Sequence, residues 1–190
     1  MIVIDELKEA VNIMLHPGTA TQKERSIRAA IAFYYKVLAI PLILYIILAL
    51  AIQNMTLSLF MPSPILFAII ALIVYPIGLL LGLLVGASLY QIFGKLLKVF
   101  SNPYSYTFTA TVYGAVPGTL LLWLLAFTNI VMLTVGIDIV EIIALIWGII
   151  ITIIALANQQ KISRLRAFAV WLVTLIVIAI IGVVIVFAVR

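Results

Sequence analysis

The sequence predicts an all-α integral membrane protein with five transmembrane helices, its N-terminus in the cytoplasm, its C-terminus outside and amphipathic segments on the cytoplasmic side. Three observations predict this. Hydrophobic residues make up 67% of the 190 positions and charged residues 9%, with a mean hydropathy of +1.39; a soluble domain carries about a quarter charged residues, because its surface must face water. Apolar runs of about 20 residues recur, the length an α-helix needs to cross roughly 30 Å of hydrocarbon. The basic residues, finally, gather in alternate connections between those runs.

The first 28 residues read as a cytoplasmic amphipathic segment. From Ile2 to Leu15, the apolar Val3, Ile4, Leu7, Val11, Met14 and Leu15 recur at helical spacing, while Asp5, Glu6, Lys8, Glu9 and Asn12 take the other face. His16-Pro17-Gly18 breaks this helix. Thr21 with Glu24, and Thr19 with Gln22, have the spacing of a capping box, which predicts a new helix starting there. No short apolar core with a small-residue cleavage site opens the chain, so no removable signal peptide is expected. The polar face of the first helix is net acidic and would be repelled by anionic lipid; its apolar face is expected to pack on the ends of the spans or on a protein partner on the cytoplasmic side.

Residues 29–190 hold the five spans, at about 29–52, 65–90, 107–127, 137–157 and 167–189. Span 1 contains Pro41. Span 2 begins after Pro62 and Pro64 and stays apolar towards Phe100, roughly 50 Å as one straight helix and too long for one untilted crossing. Pro76 kinks it, or its end leaves the bilayer. The second is favoured because Gln91, Lys95 and Lys98 appear opposite Ile92, Phe93, Leu96, Leu97, Val99 and Phe100, the pattern of an interfacial segment. Ser101-Asn102-Pro103 is a break before span 3, and the polar turn Asn158 to Lys161 separates spans 4 and 5.

Orientation follows from charge. With the N-terminal segment and the 2–3 and 4–5 connections on one side, that side holds ten of the eleven basic residues, and the other holds only Arg190. Such a bias marks the first side as cytoplasmic.

Four groups of residues are candidates for a role. Gly78, Gly82 and Gly86 form two overlapping GxxxG steps on span 2, which permit close helix approach; the seam fits packing inside the bundle or a homodimer through span 2. Tyr113, Gly114, Pro117 and Gly118 predict a helix break in span 3, either a simple kink or the interruption that lines transporter sites. Asp138 and Glu141 are the only acids outside the N-terminal segment. Spaced i, i+3 near the outer end of span 4, they form a candidate polar site for an ion or proton.

No catalytic residues are found. His16 is the one histidine, at a turn outside the membrane, and there is no cysteine, so neither a serine–histidine pair within the bilayer nor a thiolate centre can form. No phosphate-binding or dinucleotide loop is present and no cluster of acids for a metal. The chain is expected to be a non-enzyme without cofactor or metal. A net charge of +5, scattered among membrane segments, points to the lipid bilayer and not to nucleic acid.

The arrangement resembles the Yip domain family, the membrane proteins named for interaction with Ypt/Rab GTPases. The resemblance rests on His16-Pro17-Gly18-Thr19 before span 1, the glycine-rich span 2 and the break at Asn102-Pro103 leading to Tyr113-Gly114 and Pro117. The polar-basic turn from Asn158 to Arg166 completes it. It implies five spans with a cytoplasmic N-terminus, and for the eukaryotic members a role in vesicle traffic with Rab-type partners. The chain lacks their long cytoplasmic domain and their Asp-Leu-Tyr-Gly-Pro stretch. Its compact form is similar to prokaryotic members, implying a multi-pass protein of the cell membrane. A non-enzymatic scaffold or adaptor, linked to membrane trafficking or shaping, is the leading expectation. The alternative is a small transporter or channel using a broken span 3 and Glu141.

Overall fold

A chain with so few polar groups must satisfy its backbone internally, and helices do this within each segment. The computed structural model describes residues 2–53, 64–124 and 139–188, and among them every regular element is helical. The elements are α1 (Ile2–Leu15), α2 (Pro17–Ala20), α3 (Ile27–Gln53), α4 (Pro64–Leu96), α5 (Tyr104–Leu121, followed by a 3-10 turn at Leu122–Leu124), α6 (Ile139–Gln160) and α7 (Arg164–Ala188).

Among the described residues four stretches are long and apolar enough to cross a membrane: Ile27–Leu48, Ala68–Leu96, Glu141–Gln160 and Arg164–Val184. They lie in α3, α4, α6 and α7. Helix α5 is not among them, and its surroundings explain why. It packs against α3, α4 and above all α6, burying ten residues from Thr107 to Thr119. Protein, not lipid, is its solvent, so it can carry Ser105, Thr107, Thr109, Thr111 and Thr119; the hydroxyls of Thr109, Thr111 and Thr119 bond back to carbonyls one turn earlier. Helix α4 is the converse. Ile69, Leu72, Ile73, Val74, Ile77, Leu81 and Val85 are all exposed on it, as expected of a surface turned to hydrocarbon.

The tightest contact joins α5 to α6. A Cβ built on Gly114 would lie 1.8 Å from Thr152 Oγ1, and one on Gly148 would lie 2.8 Å from the carbonyl oxygen of Gly114. The two backbones meet because neither residue has a side chain, the close approach that stabilises helix pairs where hydrophobicity supplies no drive.

Several expectations change. The helix after the first turn starts at Ile27, not at Thr21. Ser26 accepts the Ala29 N–H on its hydroxyl, while Thr21 turns its hydroxyl back to the Pro17 carbonyl and its backbone carbonyl accepts from Gln159. Tertiary partners outcompete the capping box. Helix α4 runs on past residue 90 to Leu96 with Pro76 inside it, and Gln91 is buried in the protein instead of sharing an exposed face with Lys95 and Lys98. Helix α5 passes through Tyr113, Gly114, Pro117 and Gly118 without interruption. The fixed φ of proline suits a helix, and neighbouring helices hold it there. Asn158, Gln159 and Gln160 are the last turn of α6 and not a free turn.

In α1 the buried side is Glu6, Leu7, Glu9, Ala10, Ile13 and Met14, whereas Ile4, Val11 and Leu15 are exposed. Ion pairs made by the two glutamates rotate the helix away from its purely apolar register.

Both lysines that follow α4 and α6 adopt left-handed backbone, Lys98 at φ 55° and Lys161 at φ 56°. In each case the next N–H reaches back five residues, Val99 to Gly94 and Ile162 to Ala157, the closure glycine usually provides. The Phe100 ring then folds over Gly94, within 2.2 Å of where a Cβ would stand.

Candidate functional site

Two regions of the bundle, adjoining along α5, hold its candidate chemistry. The first is built where α1, α2 and the connection to α3 lie across the ends of α3, α5 and α6. Arg25 is its centre, with 8% of its side chain exposed. Its Nη2 lies 2.7 Å from Glu9 Oε2 and 3.7 Å from Glu6 Oε2. Its Nε donates to the Tyr113 hydroxyl at 3.1 Å, and its guanidinium sits 4.2 Å from the centre of the Phe33 ring, a cation–π contact. Phe33 in turn meets Tyr113 edge-on. The Tyr113 hydroxyl passes its proton donation to the Lys23 carbonyl at 2.8 Å. Lys23 also pairs with Glu9 at 2.9 Å, and Lys36 with Glu6 at 3.2 Å.

Burial lifts the Glu9 carboxyl, but hydrogen bonds and charge from Lys23 and Arg25 outweigh it and hold the group below its ordinary value. Burial likewise lowers the Arg25 guanidinium, and the Glu9 and Tyr113 contacts more than reverse it. Glu9 and Arg25 thus each favour their charged form.

Beneath it lies a neutral layer. The Asn158 amide donates to the Gly18 carbonyl and Thr21 hydroxyl; the Gln159 amide donates to the Thr21 and Lys23 carbonyls at 2.7 and 3.0 Å. Four more residues close a cycle. Gln91 Nε2 donates to the Asn102 carbonyl, the Asn102 N–H to Gln160 Oε1, Gln160 Nε2 to Thr107 Oγ1, and the Thr107 hydroxyl to Gln91 Oε1. Because donors and acceptors alternate around the ring, α4, α5, α6 and the 102 loop are tied together with every one of these groups satisfied. Trp147 adds a bond from its indole N–H to the Met14 carbonyl at 3.0 Å.

The second region is a cleft of about 740 Å³ between α4 and α6, floored by α5 and flanked by α3 and α7. Tyr75, Leu79, Leu83 and Tyr90 form the α4 wall; Glu141, Leu145, Gly148 and Thr152 form the α6 wall. The floor includes Gly114, Ala115, Gly118 and Thr119. Its volume falls within the roughly 300–1,000 Å³ of small-molecule sites.

A family comparison bears on both regions: residues 11–186 match the Yip1 domain. The chain belongs to the Yip1 domain family. No curated protein and no solved structure matches it. Together with the four membrane-competent helices, membership makes this Yip1 domain a multi-pass membrane protein.

Within the Yip1 domain the sequence-predicted residues are placed as follows. Gly78 and Gly82 are exposed, with no described atom within 4 Å of a built Cβ, and Gly86 approaches only Thr111, at 3.9 Å. Tyr113 and Gly114 share one helix but face two tasks, Tyr113 reaching Arg25 and Gly114 admitting α6. Pro117 is buried, and Gly118 lines the cleft. Glu141 lines the cleft too, within electrostatic reach of Tyr75; Asp138 lies outside the described residues. Sequence reasoning missed the Arg25 cluster and the Gln91–Asn102–Thr107–Gln160 cycle. The available signal was the density of amides at residues 158–160 and the solitary Gln91 in an apolar helix, since polar groups at membrane depth seek partners. Among the described residues no group of three histidine, cysteine or acidic side chains could hold a metal.

Proposed function

We propose that this Yip1 domain acts as a non-enzymatic membrane scaffold or adaptor, crossing the bilayer five times with its N-terminus inside and docking partners on the cytoplasmic end. The observation that carries this reading is the fixed attachment of α1 to the bundle. Both of its inward glutamates are consumed by Arg25, Lys23 and Lys36, and what α1 turns outward is Ile4, Lys8, Val11 and Leu15. Those four recur on one stripe of the helix. Around this end Arg28, Lys95, Lys98, Lys161, Arg164 and Arg166 are exposed and carry no ion pair among the described residues. An apolar stripe ringed by free cations suits a partner with an apolar patch and acidic flanks.

The basic bias of the connections supports the orientation. A fifth crossing by α5 is supported by its length, 18 residues or about 27 Å, and by its place between other spans. The role in trafficking or membrane shaping rests on the family relationship alone.

The transporter reading keeps one observation, Glu141 in the cleft, but loses the interrupted helix it was built on. Two measurements separate the readings. A photo-crosslinking residue at Val11 should give one discrete protein adduct in native membranes, lost with Ile4→Asp. Proteoliposomes holding the chain should show no solute or cation flux above empty vesicles; flux abolished by Glu141→Gln would overturn the scaffold reading.

A further inference from the structure

The cleft between α4 and α6 is not used by the scaffold reading, and its chemistry is uneven along its length. Glu141 stands in the first turn of α6. The 20-residue stretch from there to Gln160 spans about 30 Å, the thickness of the hydrocarbon core. With the amide layer at one membrane boundary, the carboxylate is at the level of the opposite headgroups. From Glu141 to Thr152 the cleft descends roughly 16 Å along α6 between Leu79, Leu83 and Leu145, over the small residues of the α5 floor. It opens between two helices whose outward residues, Ile69 to Val85 on α4 and Ile142 to Ile146 on α6, face hydrocarbon. What can enter it is a component of the bilayer.

Among the described residues Glu141 has neither an ion pair nor a hydrogen bond, and the cleft it lines is mostly apolar, with Tyr75 within electrostatic reach. A carboxylate at headgroup depth above an apolar slot matches an amphiphile bearing a cation on an acyl chain. A primary ammonium suits it better than a quaternary one, because its N–H groups can donate charge-assisted hydrogen bonds to the carboxylate. The Tyr75 hydroxyl beside it offers a donor to the adjoining phosphate.

We propose that the α4–α6 cleft binds an aminophospholipid, its ammonium on Glu141 and one acyl chain in the slot above Gly114, Ala115 and Gly118. The test uses the full-length chain reconstituted in vesicles of equal phosphatidylethanolamine and phosphatidylcholine. The chain is then released in mild detergent, and native mass spectrometry counts the lipids it retains. The wild type should hold one phosphatidylethanolamine about tenfold in preference to phosphatidylcholine, the discrimination expected of one charge-assisted hydrogen bond. Glu141→Gln should abolish the preference. Ala144→Phe, which fills the slot without touching the charge, should strip both lipids, and Leu165→Ala, an exposed position outside the cleft, should change neither result. Glu141 is itself exposed, so its replacement leaves the fold intact, and an unchanged melting temperature verifies this. Equal retention of the two lipids by the wild type, a preference that survives Glu141→Gln, or adducts that survive Ala144→Phe would each overturn the proposal and reduce the lipid to a non-specific annulus.

Discussion

The two regions of this bundle solve the same problem in opposite ways. In one, polar side chains are brought together and satisfy each other: Arg25 lies between Glu6, Glu9, Tyr113 and Phe33, and four residues from three helices and a loop close a hydrogen-bond cycle. In the other the helices stand apart around a cleft with a single carboxylate on its wall. The difference shows where cohesion comes from in a protein whose solvent is as apolar as its side chains. Burying leucine gains little against lipid, so close backbone contact and satisfied polar groups do the joining. Between α4 and α6 a cleft remains, and its floor includes the close contact of Gly114 with α6.

Arg25→Met gives the largest expected effect on this contrast. It leaves Glu6 and Glu9 facing an apolar side chain, and removing one partner of a buried ion pair costs about 3 kcal/mol or more. The chain should unfold at correspondingly lower denaturant in detergent, and α1 should become accessible to protease while α4–α7 remain protected. Next is Gly114→Ala, whose new methyl meets Thr152 at 1.8 Å and its Cα at 3.2 Å. Overpacking of this kind costs about 1–3 kcal/mol. Gly82→Ala, with nothing within 4 Å, should leave the thermal stability of the single chain unchanged, so the pair distinguishes the α5–α6 seam from a face left open within one chain.

A smaller effect follows from acid. Because the folded-state Glu9 carboxyl is held below its ordinary 4.5, its contribution is fully present above that value and fades as pH falls through the lowered one. Thermal stability should therefore decline on the acid side, and Glu9→Gln should flatten the decline. The smallest effect is a gain. Lys161→Gly relieves left-handed backbone at φ 56° and should add about 0.5–1 kcal/mol to unfolding stability.

Much of this contrast was legible before any coordinates. The apolar runs mark the helices within a few residues, since length and hydropathy alone decide what can span hydrocarbon. Helix α5 is the revealing case. Its hydroxyls dilute the membrane signal, and only its position between α3, α4 and α6 explains why they are tolerated. The glycines were legible only in part, for a related reason. Spacing marked Gly78 and Gly82 as a seam, but spacing describes one helix, and the seam needs a small residue on each of two. Gly114 and Gly148 meet that condition although they stand 34 positions apart in the chain. The Arg25 cluster joins positions as far apart as Glu6 and Tyr113, and local periodicity carries no information about such pairings. Rotation of α1 by its ion pairs has the same origin.

The claim to test is that α6 crosses the bilayer, with Glu141 at its outer end and Lys161 just past its inner one. The chain has no cysteine of its own, so single substitutions Lys161→Cys and Glu141→Cys, both at exposed positions, can be probed on intact cells with a membrane-impermeant thiol reagent. The account predicts labelling of the Glu141→Cys chain from outside, and labelling of the Lys161→Cys chain only after the cells are opened. Labelling of both from the same side would contradict it.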